Sequence, residues 1–330
     1  MKKKSNFNIN TWLPIIIFAL IAVIFGIATR GEIFQGANLT NLFNQMAATL
    51  IAGLGMLFVA AMGGTDISCG VIVGLAACFS CLSAQSAGGW IMIPVCMAVG
   101  LISGCVLGFI NAKFHVSSFM VSLSMVIAYR AFCSLVLGNN AYLVPSSMRF
   151  IDNFAFKLLV VIILILMIMY VFNYTRFGTY VRGIGENETA IRHAGVNVDK
   201  IKIAAFAISG LMAGIAALFT VIRVGGANNT IGSGFEMRVM MALFIGGIPV
   251  QGGTGSRIYK LIFGAPTILL LENGLVLCGA SGSVTQLIRG IALLAAVCLS
   301  AYMARKFANV GTEAAQNQKI AAAGDDAAGK

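Results

Sequence analysis

The hydrophobic positions of this chain form long uninterrupted runs, separated by short polar segments. Ten runs have about the length that a membrane-spanning helix needs, roughly 20 residues. Inside lipid, backbone polar groups must be paired within their own segment, so each run is expected to be a helix. The pattern therefore predicts an all-α polytopic membrane protein with about ten transmembrane helices. The predicted spans are residues 12–28, 42–62, 68–86, 90–110, 118–137, 156–172, 201–222, 235–250, 257–277 and 284–303.

The composition agrees with the pattern and excludes a soluble domain. Apolar residues make up 59% of the chain and charged residues 10%, whereas about a quarter of the residues of a soluble domain are charged. The net charge of +11 does not indicate a nucleic-acid partner, because the basic residues are not gathered on one solvated face. Their distribution is better explained by membrane topology, with lipid as the surrounding partner.

The positive-inside rule gives the orientation, because cytoplasmic segments of membrane proteins carry an excess of Lys and Arg. With a cytoplasmic N-terminus, the outer segments carry only Arg30, Arg149, Lys157, Arg223 and Arg238. The inner segments carry Lys2, Lys3, Lys4, Lys113, Arg176, Arg182, Arg192, Lys200, Lys202, Arg257, Lys260, Arg305 and Lys306. The bias predicts that both termini and the loop 175–202 are cytoplasmic. Residues 1–306 then form the transmembrane domain, and residues 307–330, rich in Ala, Gly, Gln and Asp, are expected to be a disordered cytoplasmic tail.

The loop 175–202 is the one long polar passage in the interior of the chain, and its sequence predicts a folded element. Asn187 can act as an N-cap, Glu188 and Arg192 are spaced at i and i+4, and Gly195 can adopt the left-handed cap. These signals predict about two turns of helix, with an apolar face formed by Ala190, Ile191 and Ala194. So short a helix is marginal alone and needs a surface to pack against, such as a groove on another protein. The alternative is an ordinary interhelical loop on the membrane surface.

The same loop resembles a known family. Residues 185–187 (Gly-Glu-Asn), Ala190 and residues 194–198 (Ala-Gly-Val-Asn-Val) resemble the coupling loop of permease subunits in ribose-type, simple-sugar ABC importers. Two further segments resemble the same family in the same order. Residues 63–70 resemble its Gly-Gly-x-Asp-Leu-Ser-x-Gly signature, and the glycines of 246–255 resemble its later glycine-rich turn.

The resemblance covers roughly residues 40 to 305, with a few departures. Thr65 stands where an aliphatic residue is usual, Pro249 lies inside the later turn, and residues 129–131 read Tyr-Arg-Ala where the family tends to have Arg-Gly.

The resemblance implies a pathway subunit that imports a sugar or similar small polar solute across the bacterial inner membrane. Its implied partners are a separate ATPase, an extracytoplasmic substrate-binding protein and a second permease copy. The resemblance places ATP and Mg²⁺ on the ATPase, and this chain has no GxxxxGK[ST] motif to bind nucleotide phosphates. Related branches carry branched-chain amino acids or nucleosides, so the solute stays open. The residues implied in ATPase coupling are Gly185, Glu186, Asn187, Ala190, Ile191, Ala194 and Gly195.

The segment 63–70 interrupts a helical run and is a candidate for the pathway or a gate. Gly63 and Gly64, followed by Asp66 and Ser68, suggest a broken or re-entrant passage in which Asp66 or Ser68 caps the next helix. The alternative is a simple cytoplasmic turn in which Asp66 is the N-cap.

Two arginines, Arg130 and Arg289, lie within apolar runs and are also candidates for the pathway or a gate. Charges at such positions face the interior of a bundle or a water-filled cavity. An ion pair with Glu272 or Glu236 is favoured over direct contact with the solute.

Two other functional classes compete with the importer. An ion-coupled secondary transporter would use ionisable residues inside the membrane; the candidates are Asp66, Arg130, Glu236, Glu272 and Arg289. An intramembrane serine protease is suggested by residues 279–282 (Gly-Ala-Ser-Gly), but no histidine follows Ser281 to act as the base. The protease is therefore discarded.

Glycines spaced at i and i+4 recur in two predicted spans. They are Gly100, Gly104 and Gly108 in one span and Gly210 and Gly214 in another. Small residues at this spacing let helix backbones approach closely. Packing within the chain is favoured over a subunit interface.

Overall fold

The computed structural model describes residues 9–138, 140–298 and 300. The tail at 307–330 and the two termini lie outside the described residues. The helices are α1 (Ile9–Ala28), α2 (Gly36–Ala61), α3 (Cys69–Ala87), α4 (Met92–Phe114), α5 (Ser118–Leu137), α6 (Phe154–Tyr174), α7 (Arg176–His193), α8 (Val198–Val224), α9 (Phe235–Ile245), α10 (Ile258–Leu277) and α11 (Gly282–Cys298). Two short strands, β1 (Tyr142–Leu143) and β2 (Gly226–Ala227), pair antiparallel.

The helices confirm an all-α polytopic membrane protein. Among the described residues, seven helices are long and apolar enough to cross a membrane, namely α2, α3, α4 with the turn before it, α5, α6, α8 and α10. The apolar parts of α1 and α11 are shorter.

Helix α9 is shorter than the sequence pattern predicts. The apolar run continues to residue 250, but the helix has 11 residues and ends at Ile245. Gly246 and Gly247 follow it, with Gly247 at a φ of 82°. An 11-residue helix is only about 16 Å long, roughly half of the hydrocarbon thickness. The eighth predicted span is therefore a half-length helix followed by turns.

Helices α2 and α8 form the centre of the bundle, and α4 packs against α8 along the predicted glycine seam. A β-carbon placed on Gly104 would overlap the carbonyl oxygen of Phe206 and approach the Cα of Gly210 to 3.0 Å. One placed on Gly214 would overlap the carbonyl oxygen of Cys96. The glycine spacing therefore serves packing within the chain, as favoured from the sequence.

Side-chain hydrogen bonds join helices at one end of the bundle, and three loop segments meet at the other. At one end, Asn38 on α2 and Asn273 on α10 bond through their amides at 3.1 Å. At that end too, the buried ammonium of Lys157 on α6 donates to Asn44 of α2 at 3.0 Å and pairs with Asp152. The other end gathers the segment after α2, the kink of α7 and the turn before α10.

Candidate functional site

The three glycine-containing motifs, far apart in sequence, meet at one end of the bundle. The backbone N–H of Gly253 donates to the carbonyl oxygen of Ala61 at 2.8 Å. The backbone N–H and the hydroxyl of Thr254 both donate to one oxygen, Oε1 of Glu186, each at 2.8 Å. We call the contacts among Ala61, Gly185, Glu186, Gly253 and Thr254 the three-motif junction.

Gly185 lets the backbone segments of the junction come together. A β-carbon on Gly185 would overlap the carbonyl oxygen of Ala61 and lie 2.5 Å from the backbone nitrogen of Gly253. Gly253 itself has a φ of 88°, in the left-handed region that glycine adopts most readily. A side chain at either position would force the motifs apart.

The carboxylate of Glu186 is stabilised in its ionised form at the junction. The backbone N–H of Thr254 first, and then its hydroxyl, lower the pKa of Glu186 below the usual range of a glutamate. A lowered pKa means that the contact is complete above the ordinary carboxyl range and is lost only as the pH falls through the lowered value. The contact is therefore insensitive to pH near neutrality.

The predicted two-turn helix follows directly and is confirmed. Helix α7 is kinked at Asn187, which has a φ of −159° and a ψ of 99°. The side-chain oxygen of Asn187 accepts from the N–H of Ala190 at 3.0 Å, so residue 187 caps a new helix, residues 188–193, which we call the 188–193 helix. Gly195 has a φ of 81° and ends it, as predicted.

Ion pairs hold the 188–193 helix on its loop. The predicted pair joins Arg192 to Glu188 at 3.2 Å. Two further pairs were not predicted, Lys202 with Glu188 at 2.8 Å and Arg192 with Asp199 at 3.1 Å. Partial desolvation acts to raise the pKa of Glu188, but the hydrogen bonds and charges of Lys202 and Arg192 together outweigh it, so the pKa lies below the usual value.

The predicted apolar face is only partly free. Ala190 and Ala194 are exposed. Ile191 is half-buried, because its side chain packs back towards Gly183 in the first part of α7. The surface left for a partner is therefore small and flat, and is formed by the two alanines.

The first part of α7, before the kink, is helical although the sequence interpretation predicted no helix there. Thr175 caps it by accepting from the N–H of Gly178 at 3.4 Å. Gly178, Val181 and Ile184 are buried along one side. Residues spaced by three after a threonine that can cap a helix are the sequence signal that could have predicted this first part of α7.

The segment between α2 and α3 runs into the bundle rather than forming a simple turn. Asp66 is 2% exposed. Its Oδ1 accepts from the N–H and the hydroxyl of Ser68 at 2.9 and 2.5 Å, and its Oδ2 accepts from the hydroxyl of Ser209 at 3.3 Å. Ser209 lies near the midpoint of α8. The carboxylate therefore lies deep in the bundle, which supports the interrupted passage. Ser68 occupies the N-cap position without a side-chain cap bond.

We expect Asp66→Ala to lower the thermal stability of the purified protein. The substitution leaves three buried donors without their acceptor, and one such loss costs about 1–3 kcal/mol. Asp66→Asn should be milder, because its amide oxygen can still accept from Ser68. Ser209→Ala removes only the longest bond and is the matched control. An unchanged unfolding temperature for Asp66→Ala in detergent would contradict this reading.

The N-termini of α3 and α9 meet inside the bundle. A β-carbon on Gly70 would lie 2.8 Å from the carbonyl oxygen of Gly232 and would overlap a carboxylate oxygen of Glu236. That oxygen, Oε2, is buried without a hydrogen-bond partner among the described residues. The segment before α9 packs along the start of α3, where Gly74 approaches Ile231. Two interrupted helices thus point their N-termini at one interior region.

The two candidate arginines have different partners. Arg289 pairs with Glu272 at 2.8 Å, and Arg238 pairs with the same carboxylate at 2.9 Å. An ion pair with Glu272 was one of the predicted alternatives, and for Arg289 it is confirmed. For Arg130 the predicted ion pair is wrong, because no carboxylate of the described residues pairs with it. Its Nη1 donates to the carbonyl oxygens of Asn229 and Ile231 at 3.2 and 3.3 Å, because the loop before α9 dips towards α5 and presents its backbone there.

A polar cavity of about 370 Å³ opens beside the junction. Its walls come from three parts of the chain that the interruption and the loops bring together. They include Gly63 and Gly64 after α2, Ser118 at the start of α5, and the ion-paired Glu188 and Lys202. Gly63 and Gly64 therefore lie next to the 188–193 helix, which the sequence alone did not show.

Comparison with known proteins gives consistent matches. The family model described as branched-chain amino acid transport system / permease component matches residues 38–297. The ribose import permease protein RbsC of Escherichia coli K12 is 30% identical, covering 85% of this chain and 91% of the relative.

Two other relatives are the fructose import permease protein FrcC of Rhizobium meliloti and the galactose/methyl galactoside import permease protein MglC of Haemophilus influenzae. Each is 28% identical to this chain. The match to FrcC covers 88% of this chain and 85% of FrcC, and the match to MglC covers 91% of this chain and 96% of MglC. No solved structure matches.

Proposed function

Because the chain belongs to the branched-chain amino acid transport system permease family and is similar to a ribose import permease, we propose that the solute is a sugar or a similar small polar molecule. The chain is a translocation-pathway subunit of an ABC importer and a multi-pass protein of the cytoplasmic membrane. The relatives are named for ribose, fructose and galactose, and this supports a sugar over the amino acids and nucleosides of related branches.

We propose that the 188–193 helix receives the movement of a separate ATPase, which holds the ATP and Mg²⁺. The observation that carries this proposal is a short helix with both ends capped, ion-paired to its own loop, and exposing Ala190 and Ala194. Such a helix presents a preformed surface, so a partner pays little ordering entropy on binding. Gly185, Glu186, Asn187 and Gly195 then act by positioning that surface, and Ile191 by holding it against the first part of α7.

The finer topology is part of the proposal. Helix α9 and the turns that follow it complete one crossing together, which would give ten crossings with α1 and α11 included. The junction end of the bundle carries Lys113, Arg182, Lys200 and Arg257, which supports a cytoplasmic position for it. Both termini are then cytoplasmic, residues 1–306 form the membrane domain, and residues 307–330 extend from it.

The interrupted helices α3 and α9 are the proposed moving parts of the pathway. Helices whose N-termini lie inside a bundle place backbone groups where a solute can reach them. Gly63, Gly64, Asp66 and Ser68 shape the first interruption. The second interruption is at the short helix α9. Arg130 and Arg289 hold the elements around it, Arg130 through the loop before α9 and Arg289 through Glu272. A second permease copy and an extracytoplasmic binding protein complete the proposed assembly.

The proposed function is tested by copurification and transport. The tagged chain should copurify with a nucleotide-binding subunit. The reconstituted complex should accumulate ribose or a related sugar only when ATP is supplied on the side of the membrane that carries this subunit. An ion-coupled transporter would instead lose uptake on addition of a protonophore at constant ATP. Purification as a lone polypeptide that transports without ATP would overturn the importer proposal.

A further inference from the structure

We propose that the contact between Glu186 and Thr254 is the link that transmits movement of the 188–193 helix to both interrupted helices. The inference rests on the proposed function, because it requires an ATPase that moves this helix. It assigns Glu186 and Thr254 as positioning residues for transport, and neither needs to touch the solute. The reasons lie in what each side of the contact is attached to.

Glu186 lies at the base of the part that would be moved. Glu186 directly precedes the kink at Asn187. A displacement of the 188–193 helix would therefore move Glu186 before any other residue of the first part of α7. The preceding part of α7 is closely packed, since a β-carbon on Gly178 would overlap the backbone of Phe172. Lys202, at the base of α8, pairs with Glu188 at 2.8 Å and gives the 188–193 helix a second attachment. Because α8 is fixed against α4 by the glycine seam, that attachment can serve as a pivot.

Thr254 belongs to a turn that is attached to the first interruption. The backbone N–H of the preceding residue, Gly253, donates to the carbonyl oxygen of Ala61 at 2.8 Å. Ala61 is the last residue of α2. A β-carbon on Gly63 would lie 2.7 Å from the carbonyl oxygen of Gln251. The turn is therefore packed against the start of the segment that carries Asp66 into the bundle.

The same turn is attached to the second interruption. The buried ammonium of Lys260 donates to the carbonyl oxygens of Gly247 and Gly255 at 2.7 and 3.0 Å. These bonds tie both ends of the turn to the first residues of α10. Gly246, which ends α9, is packed against the backbone of Lys260. Movement of the turn would therefore reach α9, whose N-terminus meets α3 at Gly70.

The side-chain chemistry of the contact makes the proposal specific. Both donors of Thr254 bond to a single oxygen of Glu186, and a glutamine offers a carbonyl oxygen at the same place. Glu186→Gln should therefore keep the link, with weaker bonds because the charge is lost. Glu186→Ala removes both bonds, whereas Thr254→Val removes only the bond from the hydroxyl.

The test measures solute taken up per ATP hydrolysed in the reconstituted complex. We expect this ratio to fall about tenfold for Glu186→Ala, since two bonds to a charged group are lost. The fall should be smaller for Thr254→Val and smallest for Glu186→Gln, while ATP hydrolysis and copurification of the ATPase stay near wild type. Glu32→Ala, an exposed glutamate in the turn before α2, is the matched control and should leave the ratio unchanged. The double variant Glu186→Ala/Thr254→Val should be no worse than Glu186→Ala, because the two residues act through one contact.

A second variant tests the link by restoring uptake per ATP as well as by reducing it. Glu186→Cys/Thr254→Cys should be uncoupled when reduced and should regain uptake per ATP when a short bifunctional thiol reagent joins the two positions. The wild-type chain treated with the same reagent controls for its eight native cysteines.

Three results would overturn the inference. They are an unchanged ratio for Glu186→Ala at wild-type uptake, an unchanged ratio because uptake and ATP hydrolysis fall in proportion, and a cross-linked double variant that stays uncoupled. A wild-type complex without ATP-dependent uptake would instead refute the proposed function.

Discussion

Replacing Gly210 with valine is expected to reduce the correctly folded protein in the membrane to less than about a tenth of the wild-type amount. A β-carbon at this position would overlap the carbonyl oxygen of Gly100 and lie 2.7 Å from the Cα of Gly104. Both are backbone atoms and cannot move aside as a side-chain tip could. Helices α4 and α8 would have to separate along their whole seam, and α8 also packs against α2 and α3. Size-exclusion chromatography of a fluorescent fusion measures the result.

Gly290 provides the matched control for that experiment. It lies in the apolar helix α11, and among the described residues no atom beyond its chain neighbours and its own helix backbone lies within 4 Å of the position that a β-carbon would take. Gly290→Ala should therefore fold at least as well as the wild type, because alanine favours a helix by about 1 kcal/mol over glycine. Normal folding of Gly210→Val would show that the seam does not have the close packing described above.

Replacing Ala190 with arginine is expected to lower ATP-dependent uptake by at least about thirtyfold, because a residue at the centre of a docking surface contributes 2 kcal/mol or more to binding. Ala190 is exposed, so the arginine can be accommodated in the free permease. In the complex, its side chain would prevent close contact between the 188–193 helix and the ATPase. The unfolding temperature of the free permease should be unchanged, while copurification of the ATPase is lost.

The control for this variant is Asn173→Arg, which introduces the same side chain at an exposed position at the end of α6. It should leave both copurification and uptake near the wild-type values. Retention of the ATPase by Ala190→Arg at wild-type levels would place the docking surface elsewhere on the permease.

The features that the sequence predicted well depend on neighbours within a few residues. The cap at Asn187 bonds to a residue three positions later, and the pair of Glu188 with Arg192 spans four. Gly195 ends the helix through its own backbone conformation. Because such interactions form within one turn, their spacing can be read directly from the chain.

The features that were missed or wrong depend on residues far apart in the chain. The bonds between Thr254 and Glu186 span 68 positions, and the bond between Ser209 and Asp66 spans 143. Arg130 was given a carboxylate partner because charge pairing is the usual solution inside a membrane. Only the fold shows that a loop brings backbone carbonyls to it instead. Thr254, Ser209 and Lys260 carry no local signal that distinguishes them from ordinary polar residues of a turn or a helix.

By itself, the sequence determined that this chain lies in a membrane, that it is helical, and which short loop segment folds into an exposed helix. These properties follow from hydrophobic run length, from backbone pairing in lipid and from contacts within a single turn. Only the tertiary structure decided that three distant motifs form one junction, that α9 stops halfway, and that Asp66 is buried beside α8. Each of these outcomes depends on how closely backbones can approach one another, and that distance is set by packing between helices rather than by any pattern along one of them.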